Sequence, residues 1–479
     1  MDIFEAMGKR FSFESEGESH MTMDEAFVID DATHVDEGDC AHIEACDAMA
    51  EANGYNAVAE QLQDTAAALE SFLDQAGQDR VTASPWDAQT ARINLMSVNL
   101  IAGKQTRVIS QSTESYQTRV GALGAMMSVE NAIWDALKDL WQKLKGMMTK
   151  MMDSIREFFI KHFSQLGAMK KKAEAIKKKA EAGGKIGKGK AKMSNFGQMH
   201  IANAAPAFDK IKETLDEYVG FAQALSDPPI LSGYAKCLED LTEICEDATV
   251  ERFVQAYPEM RKSIFAATYA GEMFDKVKSQ TPIDLKTDPS KIGAQDDEIA
   301  YASDEIMGGL KFFFISKKDS FPETLPDSLK QNPEDMAKTV KDWMTSIRLV
   351  LVPANADNKR EHDGEKEVPR IQPGQVSSLC GSIISFCEAG LRYKNSWGQY
   401  DQSTKKFIAR MDKISLGAAN TGSDTDEAVD VRLRGNIAGG AASWVRGVAT
   451  ALGNINRLGG QASRNVLNLC ISSIDPSDH

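Results

Sequence analysis

Ten lysines within 23 residues are the part of this sequence whose residue types and spacing most clearly predict a chemistry. They lie between positions 170 and 192, where only Glu174 and Glu181 carry negative charge. Such a cationic run favours contact with a polyanion, and nucleic acid, an anionic membrane and an acidic protein surface are the three candidates. The lysines are Lys170, Lys171, Lys172, Lys177, Lys178, Lys179, Lys185, Lys188, Lys190 and Lys192.

The glycines among these lysines partly match a phosphate-binding loop. Gly184, Gly189 and Lys190 occupy the first, sixth and seventh positions of that motif, but Ala191 stands where a Ser or Thr would hold magnesium. A strand should also precede such a loop, whereas the residues before Gly184 have a helical pattern. We therefore predict a flexible, positively charged linker here and no nucleotide site.

One cluster combines the residue types that bind metals. It consists of Cys40, His42 and Cys46, with His34 upstream. The paired Cys-x-x-Cys spacing of zinc sites is absent, although Cys46 would follow His42 by one helical turn. The spacing favours an inert, buried pair over a metal site.

Motifs of nucleophilic or metal-assisted catalysis are absent from the sequence. It contains no G-x-S-x-G, no H-E-x-x-H and no recognisable carboxylate dyad, and Cys380 and Cys387, seven residues apart, have the spacing of core positions on a helix. We therefore predict a protein that is not an enzyme and that needs neither a cofactor nor a metal.

An amphipathic helix is predicted immediately before the lysines. Apolar residues recur there every three or four positions, which places them on one helical face. They are Trp134, Leu137, Trp141, Leu144, Met148, Met151, Ile155 and Phe158. The face fits either a core helix followed by a solvated charge run or a helix lying among lipid headgroups. The second interpretation would use Trp134, Trp141, Phe158, Phe159 and Phe163.

Charge is distributed very unevenly along the 479 residues. The net charge is −15, yet residues 1–80 carry −17, residues 81–192 carry +11 and residues 193–479 carry −9. An acidic head before a basic stretch indicates a chain that partly neutralises itself. Seven scattered cysteines, no secretory signal and no apolar run of spanning length predict synthesis in the cytoplasm and no membrane-spanning helix.

The hydrophobic pattern predicts a mainly α-helical fold with a small antiparallel β insert, an α+β arrangement, and long C-terminal helices. Strands are expected at 298–303, 310–316 and 347–352, and a charged exposed loop at 355–368. The long helices are expected at 375–414 and 427–474, the second rich in Gly and Ala, which favours close helix packing.

Composition shifts suggest five regions along the chain. They are an acidic helical region 1–130, the amphipathic helix and lysine-rich linker 131–192, a helical region 193–290, the α+β insert 291–372 and the C-terminal helices 373–479.

A tripeptide with a small residue first and glutamate third recurs in the N-terminal region. It occurs at Ser12-Phe13-Glu14, Ala68-Leu69-Glu70, Ser112-Thr113-Glu114 and Ser128-Val129-Glu130. Together with the Trp- and Lys-bearing helix after Ser128, the β insert and the long C-terminal helices, this layout resembles the internal head, or inner-body, proteins of giant phiKZ-type tailed phages.

The resemblance implies a structural protein of the virion that is made in the host cytoplasm and packed inside the capsid. Such proteins carry an N-terminal propeptide that a phage prohead protease removes by cutting after the tripeptide, here after Glu130, Glu114, Glu70 or Glu14. The expected partners are that protease, packaged double-stranded DNA, which the lysines would contact non-specifically, and other internal head or capsid proteins. The protein is also expected to leave with the genome in some form.

The position of the cut determines what happens to the charge. Residues 1–130 contain 23 acidic and seven basic residues, so removing them would leave a net charge of +1, whereas a cut after Glu14 removes only −1. Our hypothesis is that the acidic head shields the lysines until a cut after Glu130 exposes them to DNA. The alternative function is a membrane-active or effector protein that acts through the helix at 131–166 on an anionic membrane surface.

Overall fold

The computed structural model describes eleven ranges of the chain, and every structural statement below concerns them. They are residues 37–81, 119–193, 199–201, 205–226, 235–243, 249–268, 297–346, 348–354, 366–392, 394–418 and 426–474.

Helices make up most of the described chain, which confirms the predicted fold class. They are α1 (Glu37–Val81), α2 (Arg119–Glu181), α3 (Phe208–Ser226), α4 (Val250–Thr268), α5 (Asp327–Gln331), α6 (Pro333–Ser346), α7 (Pro373–Arg392), α8 (Lys394–Ala418) and α9 (Asp426–Ser473). Residues 235–243 are also helical.

Helix α2 is longer than the sequence pattern predicts. The predicted amphipathic helix at 131–166 is part of one helix of 63 residues, which begins at Arg119 and continues through the lysines to Glu181. No proline interrupts it, and glycines lower helix stability by only about 1 kcal/mol each. The helix ends where Gly183 takes a φ of +86° and the N–H of Gly184 donates to the carbonyl of Lys179 at 3.2 Å.

Helix α9 lies at the centre of the bundle. Its residues are buried along most of their length, and it packs against α1, α2, α3, α6, α7 and α8. Glycines permit this approach, because a Cβ on Gly459 would lie 2.7 Å from the ring of Phe386 and one on Gly440 would lie 3.0 Å from Cβ of Met344. The close packing predicted from the Gly- and Ala-rich sequence is confirmed.

Helices α1 and α2 lie antiparallel with a constant register. Glu44 contacts Lys161 at 3.0 Å, Ser154 donates to Glu51 at 3.1 Å, and the ammonium of Lys150 lies 5.6 Å above the ring of Tyr55. The buried face of α1 includes Ala45, Met49, Ala52, Ala59 and Leu69, all at most 1% exposed. The acidic N-terminal region therefore supplies part of the core.

The predicted β insert is present as an antiparallel sheet in the order β2–β3–β4. Its strands are β2 (Glu298–Ala302), β3 (Leu310–Lys317) and β4 (Arg348–Pro353), close to the predicted positions. The register pairs Tyr301 with Phe314 and Phe313 with Val350.

A second, two-stranded sheet falls where the sequence predicted irregular chain. Strand β1 (Ala191–Met193) pairs antiparallel with β5 (Lys366–Val368), with Lys192 opposite Glu367. The end of the lysine-rich stretch and the end of the charged loop are therefore fixed to each other. Both had been expected to be free of regular structure, and that prediction was wrong at these six residues.

The helix predicted at 375–414 is described as α7 and α8, on either side of position 393. Both lie antiparallel along α2: Glu388 of α7 contacts Lys170 at 2.8 Å, and Asp401 of α8 contacts Arg156 at 3.0 Å. The predicted helix at 427–474 corresponds to α9. The five-region division stays a prediction, and it separates residues that share one buried apolar cluster.

Candidate nucleic-acid interface

The C-terminal third of α2 displays lysines because its other side is buried. Met169, Ala173 and Ala180 are at most 6% exposed and belong to the main core, which includes residues of α7. The helical period then turns Lys171 and Lys178 to the opposite side, where both are exposed. The lysines therefore belong to a folded amphipathic helix and not to a separate charged tail.

Lys170 makes an ion pair that joins α2 to α7. Its ammonium lies 2.8 Å from a carboxylate oxygen of Glu388 and 3.9 Å from one of Glu174. The hydrogen bond to Glu388 raises the pKa of Lys170, and the same bond lowers the pKa of Glu388. Lys190 lies 3.8 Å from Glu367 of β5, a looser contact between two exposed side chains.

The remaining lysines differ in exposure. Lys177 and Lys179 are half-buried, and the side chain of Lys192 lies outside what the structure describes. We use the name "lysine surface" for the exposed ones. They are Lys171, Lys172, Lys178, Lys185, Lys188 and Lys190.

The glycine-containing segment after α2 is packed and does not behave as the flexible linker predicted. Ile186 forms a β-bridge with Ile474, and the N–H of Gly187 donates to the carbonyl of Ser473 at 3.1 Å. Arg370 crosses the segment, donating to the carbonyl of Lys188 at 3.0 Å and also to the carbonyl of Ser472. The segment follows a helix, as expected, so the partial phosphate-loop match lacks the strand that such a loop requires.

The guanidinium of Arg370 lies in the space that a side chain on Gly187 would enter. A Cβ there would lie 2.6 Å from a guanidinium nitrogen of Arg370, and Gly187 itself is buried. The neighbouring Lys185 and Lys188 are exposed on either side. They are therefore displayed from a fixed backbone at the C-terminal end of α9.

A cavity of about 440 Å³ adjoins this region between α2, α3 and α7. Its charged wall contains Lys177, Lys212 and Asp216, and its hydroxyl-bearing wall contains Ser378, Ser382 and Ser385. The serines are spaced by four and three residues along α7, which places them on one helical face. The sequence analysis did not single out this pattern. Asp216 is held by the ammonium of Lys212 and by the hydroxyl of Ser382 at 2.6 Å, so Lys177 supplies the net positive charge of this wall.

The aromatic face of α2 lies inside the protein. Phe158 and Phe159 are 1% exposed and Phe163 is 6% exposed, and the ring of Phe159 lies 3.9 Å from that of Trp397, centroid to centroid. Trp141 is partly buried against the core, beside Gly439 of α9. The folded chain thus does not present these four aromatic rings to a bilayer, and from Trp141 to Phe163 the core-helix interpretation of the apolar stripe is the correct one. The side chains of Trp134 and Leu137 lie outside what the structure describes.

None of the helices within the described ranges combines the length and the apolarity needed to cross a membrane.

The cysteines described by the structure are core residues. Cys46 is 9% exposed, and burial raises the pKa of its thiol to about 11, which keeps the thiol protonated at neutral pH. Cys380 and Cys387 are fully buried, as predicted. The side chains of Cys40 and His42, like residue 34, lie outside the described part.

Three carboxylates that the sequence analysis did not single out come together on α3 and the loop after β2. Glu213, Glu217 and Asp304 each place one oxygen within 4.8 Å of the others. Hard cations such as Ca²⁺ take six to eight oxygen ligands, so these three would supply a minority of a coordination sphere. A cluster of this kind is also common without an ion.

The four candidate cleavage tripeptides fall into two groups. Glu70 and Glu130 lie within the helices α1 and α2, and Leu69, next to Glu70, is fully buried. Glu14 and Glu114 lie outside the described residues.

Comparison with models of known protein families gives a match. A family model described as phiKZ-like phage internal head proteins matches residues 31–463 of the chain. Neither the curated proteins nor the solved structures yield a match. Because the family model covers nearly the whole chain, from the acidic helix α1 almost to the end of α9, the protein belongs to the phiKZ-like phage internal head protein family.

Proposed function

We propose that this internal head protein contacts packaged double-stranded DNA non-specifically through the lysine surface. Its family supports a structural role in the capsid interior, where packaged DNA is the most abundant polyanion. The observation that carries the proposal is the display of Lys171, Lys178, Lys185 and Lys188, which are exposed and have no ion-pair partner among the described residues. Lysines in this state release counterions on binding phosphates, whatever the base sequence.

The form of the surface favours backbone contact over base reading. None of the six lysines has an aromatic neighbour in sequence between 170 and 192, so the stacking platforms of single-strand binders are missing. Lysine also acts as a compact point charge without the planar fork with which arginine recognises guanine. The role that follows is neutralisation of packed DNA, with no enzymatic activity and no cofactor.

Maturation by a prohead protease is part of the proposal, and the fold favours some sites over others. Proteases bind their substrates as extended chain, so a cut after Glu70 or Glu130 would require α1 or α2 to unwind first. A cut after Glu130 would also detach α1, whose Met49 and Ala52 are completely buried. A cut after Glu114 would detach α1 in the same way, because the whole helix precedes it. We therefore favour Glu14, which precedes α1, over Glu70, Glu114 and Glu130. N-terminal sequencing of protein from purified virions tests this choice, and a first residue of Ser71, Ser115 or Asn131 would overturn it.

Other internal head or capsid proteins are the remaining proposed partners, and release together with the genome would follow from DNA contact inside the capsid. Both ideas are supported by the family and by the exposed charge, and cross-linking within purified virions would test the first.

The DNA contact is tested by removing charge from the lysine surface. A variant with Lys171→Gln, Lys178→Gln, Lys185→Gln and Lys188→Gln should bind a mixed-sequence duplex more weakly in fluorescence anisotropy. Its plot of log affinity against log salt should be shallower by about 0.9 for each lysine that contacts a phosphate.

A control with the same net charge separates this surface from general electrostatics. Lys236→Gln, Lys262→Gln, Lys318→Gln and Lys406→Gln change four exposed lysines outside the lysine surface. Equal salt slopes for the two variants would contradict the proposed interface.

A further inference from the structure

The N-terminal end of α1 lies beside α2 just before the lysine-rich part of α2 begins. The contacts Glu44–Lys161, Glu51–Ser154 and Tyr55–Lys150 keep one antiparallel register. Continued by that register, Glu37, the first residue of α1, falls opposite Ala168 of α2. The chain that precedes α1 therefore enters the structure beside the start of the lysine-rich part of α2.

The side of α2 that α1 covers continues past this point without α1. Residues 150, 154 and 161 face α1, and spacings of three, four and seven residues continue that side of the helix through Ala168, Lys172, Ala175 and Lys179. We name these four residues the open strip. Ala168 and Ala175 are exposed, so no described residue covers the strip at these two positions. Lys171 and Lys178 border the strip on its solvent side.

The chain immediately before α1 has the charge that would complement this strip. Residues 15–36 contain seven acidic residues and no lysine or arginine. The segment of 22 residues can reach about 70 Å when extended. The open strip spans twelve residues of helix, or about 17 Å, so the segment is long enough to follow it and then reach Lys185 and Lys188.

We infer that residues 15–36 bind in cis to the open strip and to the lysine surface beside it, so that the protein's own acidic segment competes with DNA for the lysines. The competition with DNA rests on the proposed function, that is, on the DNA contact of the lysine surface. The intramolecular contact does not depend on that proposal. A tethered segment acts at an effective concentration in the millimolar range, which is enough for a weak ionic contact to be well populated. DNA displaces it where phosphate is concentrated, as inside a filled capsid.

This arrangement replaces the hypothesis that the whole acidic head is a removable shield. Helix α1 covers residues 150–161 of α2 and fills the core through Met49, so it cannot leave without exposing Met148 and Met151. Our inference assigns the shielding to residues 15–36, which precede α1. The shield is therefore a short segment, residues 15–36. Its negative charge sets the affinity for DNA, and a cut after Glu130 is not needed.

The test neutralises the segment within the full chain. A variant with Glu16→Gln, Glu18→Gln, Asp24→Asn, Glu25→Gln, Asp30→Asn and Asp31→Asn keeps the length of the segment and keeps Asp36 at the start of α1. In fluorescence anisotropy with a mixed-sequence 30-base-pair duplex at low salt, we expect this variant to bind at least tenfold more tightly than the native chain. The difference should shrink as salt screens both contacts.

The control removes the same charge from elsewhere. It carries Glu243→Gln, Glu259→Gln, Asp319→Asn, Glu323→Gln, Asp335→Asn and Asp342→Asn, all at exposed positions outside α1 and α2. If both variants gain the same affinity, only net charge matters and the inference is overturned.

A second measurement detects the contact without DNA. Acetylation by a water-soluble succinimidyl ester, followed by mass spectrometry, should modify Lys172 and Lys179 several-fold faster in the neutralised variant than in the native chain. Lys236 and Lys262 should react equally in both. Unchanged reactivity of Lys172 and Lys179 would overturn the cis contact, whereas increased reactivity without DNA binding in any variant would support the contact and refute the proposed function.

Discussion

The thioether of Met49 on α1 fills the space that a side chain on Gly453 of α9 would occupy. A Cβ built on Gly453 would overlap the sulfur of Met49, and both residues are buried among α1, α2 and α9. The contact joins positions that are 404 residues apart in the sequence. It shows that the acidic N-terminal region contributes a helix to the core, where close approach depends on a glycine.

Enlarging Gly453 should therefore destabilise the protein. Gly453→Leu forces Met49 out of its position, and overpacking of this kind lowers the free energy of unfolding by about 1–3 kcal/mol. Urea unfolding followed by circular dichroism measures the change. The control is Gly447→Ala in the same helix, where a Cβ meets nothing within 4 Å and helix propensity should add about 0.5–1 kcal/mol. The combination of Gly453→Leu with Met49→Ala should recover part of the loss, and strict additivity would contradict the contact.

The ion pair between Arg156 of α2 and Asp401 of α8 should matter more than the other charge contacts along α2. Nε lies 3.0 Å from Oδ2 and a terminal guanidinium nitrogen lies 3.0 Å from Oδ1, and the side chain of Asp401 is only 11% exposed. Hydrogen bonding to Asp401 raises the pKa of Arg156. Arg156→Gln leaves the buried carboxylate with Lys405 alone, and we expect a loss of about 1–3 kcal/mol in the free energy of unfolding.

An exposed ion pair on the same helix is the matched control for Arg156. Lys143 lies 3.1 Å from Asp139, with both side chains more than 40% exposed. Lys143→Gln should change the free energy of unfolding by less than about 0.5 kcal/mol. If the two variants lose the same stability, burial and bidentate geometry do not distinguish the pairs.

The helical period predicted which residues of α2 are buried but not what covers them. Leu144, Met148, Met151, Ile155 and Phe158 all belong to the predicted stripe and all are buried. The same pattern also fits a helix on a membrane, because the helical period shows that one face is apolar but does not show what that face packs against. The partners, α1 and α9, come from opposite ends of the chain and are identified only by tertiary contacts.

The sequence likewise could not predict which individual lysines form ion pairs and which are exposed. Lys170 and Lys171 are neighbours of the same type, yet one step along the helix turns Lys170 toward Glu388 and Lys171 toward solvent. Glu388 is 218 residues further along the chain, so no local pattern could indicate the pairing. Strand β5 was missed for a similar reason: its three residues sit at the end of a charged run and pair with a strand of only three residues.

The pair Lys170–Glu388 predicts a small pH dependence of stability. The pKa of Glu388 is lowered, so its contribution is present above the ordinary carboxyl value of 4.5 and is lost as the pH falls through the lowered pKa. The pKa of Lys170 is raised, so its contribution is present below 10.5 and is lost as the pH rises through the raised pKa. Both side chains are accessible to solvent, which screens the pair and keeps the effect small.

Glu388→Gln should therefore lower Tm most across the neutral range, and the difference from the native chain should vanish in strong acid. Differential scanning calorimetry at a series of pH values measures it. Glu259→Gln, which removes a partner of Lys262 in a pair about three-quarters exposed, is the control with little expected effect at any pH. A Tm difference for Glu388→Gln that persists unchanged below pH 3 would show that the loss has another origin.

Gly187 couples the stability of the fold to the display of the lysines. Gly187→Ala would push the guanidinium of Arg370 away, and with it the hydrogen bonds that Arg370 donates to the carbonyls of Lys188 and Ser472. We expect a loss of about 1–3 kcal/mol in the free energy of unfolding, because two carbonyls lose a charged donor. Hydrogen exchange measured by mass spectrometry should show faster exchange at 185–190, where the N–H of Gly187 is bonded to Ser473.

The variant Arg370→Ala removes the obstacle and serves as the control. Once Arg370 is absent, adding Gly187→Ala should cost much less than it does in the native chain, since the overlap no longer exists. Both changes loosen the segment that carries Lys185 and Lys188. Both should therefore weaken the binding of DNA by these two lysines more than the binding of DNA by Lys171. Full additivity of the two substitutions in urea unfolding would mean that Gly187 is needed for a reason other than the approach of Arg370.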